Sequence, residues 1–288
     1  MSTTRDIILI HGMWSRGDVA LPLRESLEKR GHRVWSPTLP GHHRTTSVDV
    51  AQLSLRDYAD AIGGLIDSNT FAQPPVIVGH SMGGLIAQMV AAERETGPVV
   101  LLNSAGPAGV NHILPPAVLT NAQTLIKPAF WRRSHILSWQ AARYGLLNEV
   151  DLPKAREIYE NLTPESGTAL GELVFWFLDP NRTSTIRTKN LRAPILIVSG
   201  GRDRITSAPI ARALAKCYPQ AESQIYPHHG HWIFEEAGRD TTFSRIADWI
   251  ERTGSPTTQA HHGILRMVSP SAEAQRLSIP EKTGQRIF

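Results

Sequence analysis

The sequence predicts an α/β protein: a mostly parallel sheet of about six strands, flanked by helices and interrupted by a helical insertion. Three observations carry this. Short continuous apolar runs recur (residues 6–10, 76–78, 98–102 and 193–200), the pattern of strands buried on both faces. Stretches with helical spacing follow them in alternation, which argues for right-handed crossovers covering both sides of the sheet. The alternation then stops between Gly106 and about Arg187, where prolines and aromatic residues replace it. A chain of 288 residues, 41% hydrophobic and 19% charged, has enough apolar material for such a core.

Taken in order, residues 6–10 form the first strand, which ends in His11-Gly12-Met13-Trp14. Val19, Leu23 and Leu27 share a helical face over residues 19–30, with Gly31 as the stop. Residues 32–36 are the next strand and lead into the turn-rich stretch 37–43. Ser54 caps a helix running to about Ser68, with Leu55, Tyr58, Ile62, Leu65 and Ile66 on one face. The run Val76-Ile77-Val78 stops at Gly79, and a helix is expected over residues 85–93. Residues 98–102 are a further strand. Sheet and helix resume at 193–200, 208–218, 222–226 and 240–251.

Two segments fall outside this rhythm. Residues 107–187 carry six prolines from Pro107 to Pro164 and only amphipathic pieces, such as 155–161 and 170–178. They are expected to form a helical cap or lid, inserted into a core made of residues 1–106 and 188–252. Residues 253–288 shift to Ser, Thr, Gln, Pro and Gly and are expected to be a mobile C-terminal extension. A docked strand or helix around Ile264-Leu265 and Met267-Val268 is the alternative for that tail.

Composition narrows the function. A net charge of +4 with no dense basic run argues against nucleic acid as a partner. The single cysteine, Cys217, cannot close an internal disulfide and fits a reducing compartment. The first apolar run is too short for a signal peptide or a membrane span, so no membrane span and a cytoplasmic location are expected. The sequence carries no signal for oligomeric state.

Chemistry concentrates at the expected carboxyl ends of strands, where open parallel sheets bind ligands. Gly79-His80-Ser81-Met82-Gly83 is a Gly-x-Ser-x-Gly between a strand and a helix, the context of a nucleophile elbow. The sharp turn strains the serine backbone and demands residues nearly free of side chain two positions either side. Asp203 and His231 follow on later loops. A serine hydroxyl needs an imidazole to take its proton, and the imidazole needs a carboxylate to fix its tautomer. A developing oxyanion needs fixed donors, here the backbone N–H groups of Met82 and Met13. The ordinary alternative for Asp203 is a salt-bridged acid beside Arg202 and Arg204. After the 98–102 strand the chain offers only Asn103 and Ser104. A metal cluster of His228, His229 and His231 has no nearby cysteine or compelling carboxylate to complete it, so no metal is expected. His228 and His229 read as loop or surface residues, and His11 and His80 as braces of their loops.

These motifs form a series. His11-Gly12-Met13-Trp14, Pro40-Gly41-His42, Gly79 to Gly84, Gly200-Gly201-Arg202-Asp203-Arg204-Ile205 and Gly230-His231-Trp232 resemble, in order, those of the α/β-hydrolase superfamily. The similarity spans residues 5 to about 252 and is greatest to small serine esterases and lipases with a helical cap. It implies the α/β-hydrolase fold, a Ser81–His231–Asp203 triad, Met13 and Met82 as oxyanion donors, and hydrolysis of a small-molecule carboxylic ester without a cofactor. Only five residues precede the first strand, leaving no room for the family's leading β-hairpin; hence the expectation of about six strands. Trp14, Trp131, Trp139, Trp176 and Trp232 are the aromatic candidates for the substrate pocket, although aromatic residues of an insertion more often serve packing. The same triad can serve thioester, amide or carbon–carbon cleavage, lyase or perhydrolase chemistry. The competitor of another class is a ligand receptor that keeps the fold with little turnover.

Overall fold

The computed structural model describes residues 4–45, 47–110, 115–253 and 265–267. The chain begins with β1 (Asp6–Ile10), α1 (Leu21–Glu28), β2 (Arg33–Trp35), α2 (Leu55–Ser68), β3 (Val76–His80), α3 (Met82–Glu93) and β4 (Val99–Leu102). The insertion holds α4 (Pro115–Leu125), β5 (Ser134–His135), α5 (Trp139–Gly145), α6 (Leu152–Glu160), β6 (Glu165–Ser166) and α7 (Gly167–Val174). The sheet resumes with β7 (Ile195–Gly200), α8 (Ala208–Cys217), β8 (Glu222–Tyr226) and α9 (Arg239–Thr253). A three-residue strand, β9 (Leu265–Met267), lies against β8.

Six strands in the order β2-β1-β3-β4-β7-β8 are all parallel, and β9 extends that edge as a seventh. The expected six-strand α/β sheet is therefore present. β9 falls on the apolar spot of the tail; the rest of that tail, and its expected mobility, lie outside the described residues. The strand order reverses between β1 and β3, so the crevice at their carboxyl ends is a topological switch point. Successive strand side chains point to opposite faces, and both faces are covered. Ile8, Ile10, Ile77, Leu101 and Ile197 pack with α2, α3 and α8. Ile7, Leu9, Val78, Val100 and Val198 pack instead with α1 and α9 through Leu23, Leu27, Phe243, Ile246 and Ile250.

Local chemistry sets several boundaries. Ser54 caps α2 through a reciprocal pair with Asp57. The helix expected from residue 19 begins instead at Leu21, after a 3-10 turn over Gly17–Ala20, because Pro22 in the first turn favours a start there. Gly31 follows α1 with φ +88°, which only glycine adopts freely. The helix expected from residue 85 starts three residues earlier, at Met82, because the turn after β3 consumes one residue only. Two insertion helices, α4 and α5, and the two-residue ladder of β5 with β6 had no clear periodicity in the sequence. Among the described residues no helix is long and apolar enough to cross a membrane.

Candidate active site

Ser81 occupies the single-residue turn between β3 and α3, with φ 56° and ψ −122°. Such a conformation costs a β-carbon-bearing residue about 1–3 kcal/mol, and the surroundings must impose it. They do so through main chain: Ser81 N–H donates to Leu102 O at 3.0 Å, while Ser81 O accepts from Gly84 and Ala105 N–H, each at 3.0 Å. The flanking glycines are a steric necessity. A Cβ on Gly79 would lie 2.2 Å from Gly83 O, and one on Gly83 would lie 2.3 Å from Ile10 O.

The structure brings Ser81, His231 and Asp203 together from β3, the loop after β8 and the loop after β7. His231 Nε2 lies 3.0 Å from Ser81 Oγ, and His231 Nδ1 lies 2.9 Å from Asp203 Oδ2. The carboxylate fixes Nδ1 as the protonated nitrogen, leaving Nε2 to accept from the hydroxyl. Asp203 Oδ1 accepts from Ile205 N–H (2.7 Å) and Thr206 N–H (2.9 Å), and Thr206 Oγ1 lies 2.8 Å from Oδ2. Burial opposes charge on this carboxyl, yet His231 and these donors hold it below the usual carboxylate range. Asp203 is thus no surface partner of Arg202 or Arg204; it is 5% exposed. Met82 N–H, at the first position of α3, has no intrahelical acceptor, and Met13 N–H makes no hydrogen bond with the described residues.

Beside Ser81 lies an apolar cavity of about 70 Å³. Met13, Trp14 and Met82 line it from the sheet side, and Leu125, Leu170 and Val174 line it from the insertion. Of the aromatic candidates, only Trp14 lines this cavity. Trp232 is buried and faces a neighbouring cleft of about 340 Å³ that Trp14 shares. Trp131 is half-exposed in a groove on the outer surface, Trp139 meets Tyr159 edge-to-face and carries the Arg156 guanidinium over its ring, and Trp176 meets Phe177 edge-on. The insertion packs its rings on one another, and aliphatic residues of α4 and α7 take the places over Ser81.

A family model described as "Alpha/beta hydrolase family" matches residues 7–244. The chain belongs to the alpha/beta hydrolase family. The protein is therefore read as a hydrolase enzyme, in keeping with its relatives. It is 27% identical over 233 residues to the pimeloyl-[acyl-carrier protein] methyl ester esterase of Chromobacterium violaceum, covering 80% of this chain and 88% of that one. It is 26% identical over 253 residues to the magnesium-chelatase 30 kDa subunit of Rhodobacter capsulatus, covering 85% and 86%. Among solved structures, a methylesterase from Arabidopsis superposes with a TM-score of 0.68 at 14% identity, covering 86% of this chain and 100% of that one, a likeness of fold.

Other residues of the hydrolase hold the site in place, and sequence reasoning saw only some of them. His80 Nε2 donates to His231 O at 2.9 Å, and burial, then the neighbouring His231, pushes its pKa down to about 3. His11 is similarly lowered to about 3, by burial first, and its Nε2 accepts from Leu39 N–H at 2.9 Å. Both brace loops. Asn103, noted only as a non-acid, proves central: its Nδ2 donates to Gly230 O and His231 O, each at 2.9 Å, and its Oδ1 accepts from Gly200 N–H at 2.7 Å. One amide thereby ties β4, β7 and the histidine loop together. His228 is exposed, but His229, expected at the surface, is buried. Its ring bonds Glu236 (3.1 Å) and Thr242 (3.0 Å), anchoring the same loop to α9.

Glu165 carried no sequence signal at all. It is 1% exposed at the start of β6. Its carboxylate accepts from Tyr58 Oη (2.9 Å), Ser166 N–H (2.7 Å), His42 Nε2 (3.0 Å) and Trp14 N–H (3.4 Å). Burial disfavours charge on His42, but Glu165 raises its pKa; with Nδ1 facing Pro40 O at 3.0 Å, both ring nitrogens meet acceptors, as an imidazolium requires. Thr163 N–H donates to Trp14 O at 2.9 Å. The loop carrying Met13 and Trp14 is therefore bonded to the insertion through both the N–H and the C=O of Trp14.

Proposed function

We propose that this hydrolase cleaves small-molecule carboxylic esters through an acyl-enzyme on Ser81. The observation that carries the reading is the His231 imidazole set between Ser81 Oγ at 3.0 Å and Asp203 Oδ2 at 2.9 Å. His231 Nε2 takes the hydroxyl proton as Ser81 Oγ attacks the ester carbonyl, and Asp203 stabilises the imidazolium. The N–H groups of Met13 and Met82 hold the oxyanion; one such donor is typically worth about 3 kcal/mol in the transition state. The tetrahedral intermediate collapses as His231 protonates the departing alcohol. A water then gives its proton to His231 and attacks the acyl-enzyme, releasing the acid and restoring Ser81. Relatives named as a methyl ester esterase and a methylesterase support ester chemistry over the other uses of the same three groups. In this reading residues 107–187 act as a cap whose α4 and α7 roof the pocket, no cofactor takes part, and the lone Cys217 favours a cytoplasmic setting.

The test is to label the protein with a fluorophosphonate and to follow turnover of p-nitrophenyl butyrate. One label per chain, absent from Ser81→Ala, and at least an about thousandfold loss of turnover in that variant are expected. A Ser81→Ala variant that keeps most of its turnover would refute the mechanism. Labelling of the wild-type chain without repeated turnover would favour a receptor.

A further inference from the structure

Helix α4 turns polar as well as apolar residues toward the interior. Its buried residues are Thr120, Asn121 and Thr124, while Val118 and Leu125 also line the cavity and Leu119 is 62% exposed. A roof helix normally turns apolar residues inward. Thr120 has a local explanation, since its hydroxyl donates to Pro116 O at 3.0 Å and it fits against Gly145. Asn121 does not. It lines the cavity beside Ser81 and is 6% exposed. Its Nδ2 donates back to Ala117 O at 2.9 Å, which fixes the amide's orientation, and its Oδ1 has no partner among the described residues. The other polar side chains of the lining are occupied: Ser81 Oγ with His231, and Thr206 Oγ1 with Asn103 O at 2.6 Å. The indole Nε1 of Trp14, also in the lining, is buried without an acceptor.

From this we infer that the ester taken by this cavity carries a hydroxyl group, which donates to Asn121 Oδ1 in otherwise apolar surroundings. The inference rests on the ester-hydrolase reading above and adds a substrate class to it. A hydroxyl suits the site better than an ammonium, which would bring an unpaired charge into apolar surroundings. The cavity holds about 70 Å³, which limits the enclosed part to a short chain. The sign of the preference is diagnostic. A purely apolar pocket rejects a hydroxyl in favour of a methyl group of similar size, because the hydroxyl is desolvated without compensation. A pocket with an unpaired acceptor inverts that order, because the methyl leaves the acceptor unpaired.

Two isosteric pairs test it, read by pH-stat on the full chain. Methyl 3-hydroxybutyrate is compared with methyl 3-methylbutyrate, and the 1-acetate of propane-1,2-diol with isobutyl acetate. In the pair whose varied part enters the cavity, the wild-type protein is expected to favour the hydroxyl ester by about tenfold or more in kcat/KM. Asn121→Leu should bring that ratio to one or below, and Asn121→Ser, a smaller change, should reduce it. Preference for the methyl-bearing ester in both pairs overturns the inference, and so does a hydroxyl preference that survives unchanged in Asn121→Leu. The wild-type comparison needs no variant to fold. If p-nitrophenyl butyrate turnover is lost in Ser81→Ala while the methyl-bearing esters are preferred, the inference alone fails. If no ester is turned over in a Ser81-dependent way, the ester-hydrolase reading fails with it.

Discussion

Beneath Ser81 the site is built of main chain and glycine; above it, of side chains and buried carboxylates. The floor comes from neighbours in sequence. Residues 79–84 make the turn, and backbone bonds from Leu102, Gly84 and Ala105 hold it. The roof comes from groups far apart in the chain. Glu165 joins β6 to His42, Tyr58 and Trp14, and Glu172 of α7 accepts Leu55 N–H at the start of α2 (2.8 Å) and the Thr183 hydroxyl (3.2 Å). The contrast says where tolerance lies. At Gly79 and Gly83 an added Cβ would lie under 2.5 Å from backbone atoms, so this floor has nowhere to yield. A roof held by polar side chains can loosen by degrees, and its polar ties respond to pH.

The largest effect should come from the floor. Gly79→Ala places a methyl against Gly83 O and Gly84 Cα, so α3 must shift away from β3. The expected outcome in chemical denaturation is a loss of about 3 kcal/mol or more, with fluorophosphonate labelling abolished. A stable, readily labelled alanine variant would show that the floor is softer than its packing implies.

An intermediate effect should follow Glu165→Gln. The carboxylate accepts four hydrogen bonds, and an amide has one oxygen to offer, so a buried donor is left facing an N–H₂. Stability should fall by about 2 kcal/mol. Since Trp14 N–H is one of those donors and Met13 precedes it, kcat should fall about tenfold with KM changed less. Unchanged kcat with lowered stability would confine Glu165 to holding the roof.

The smallest effect concerns Glu172. Burial, with Asp179 and Asp57 nearby, raises its pKa from 4.5 to about 7 against the pull of Leu55 N–H and Thr183. Between those values the folded protein keeps a proton that the unfolded chain has released. The stabilisation is complete below about pH 4.5 and is lost as pH rises through about 7. Wild-type melting temperature should therefore fall across that window relative to Glu172→Gln, which mimics the protonated form at every pH. Parallel melting curves for the two proteins would remove Glu172 as a pH-responsive tie.

What could be read in the sequence follows from the same contrast. The central strands announced themselves because both faces of a covered parallel sheet must be apolar; residues 6–10 were placed to the residue. The elbow was legible because one sharp turn imposes small residues at fixed offsets from Ser81. Glu165, Asn103 and His229 were not, because a buried polar residue earns its place through a partner 107, 97 or 13 positions away, and no local pattern encodes that. Nor could spacing say which tryptophan meets the cavity, since that depends on how the insertion's helices cross above the sheet. The sequence alone determined the sheet, its order of chemistry and the serine turn, where the controlling forces act between near neighbours. The tertiary structure decided the roof, the loop tethers and the polar atom left open above the serine, because each is set by burial that only the folded chain creates.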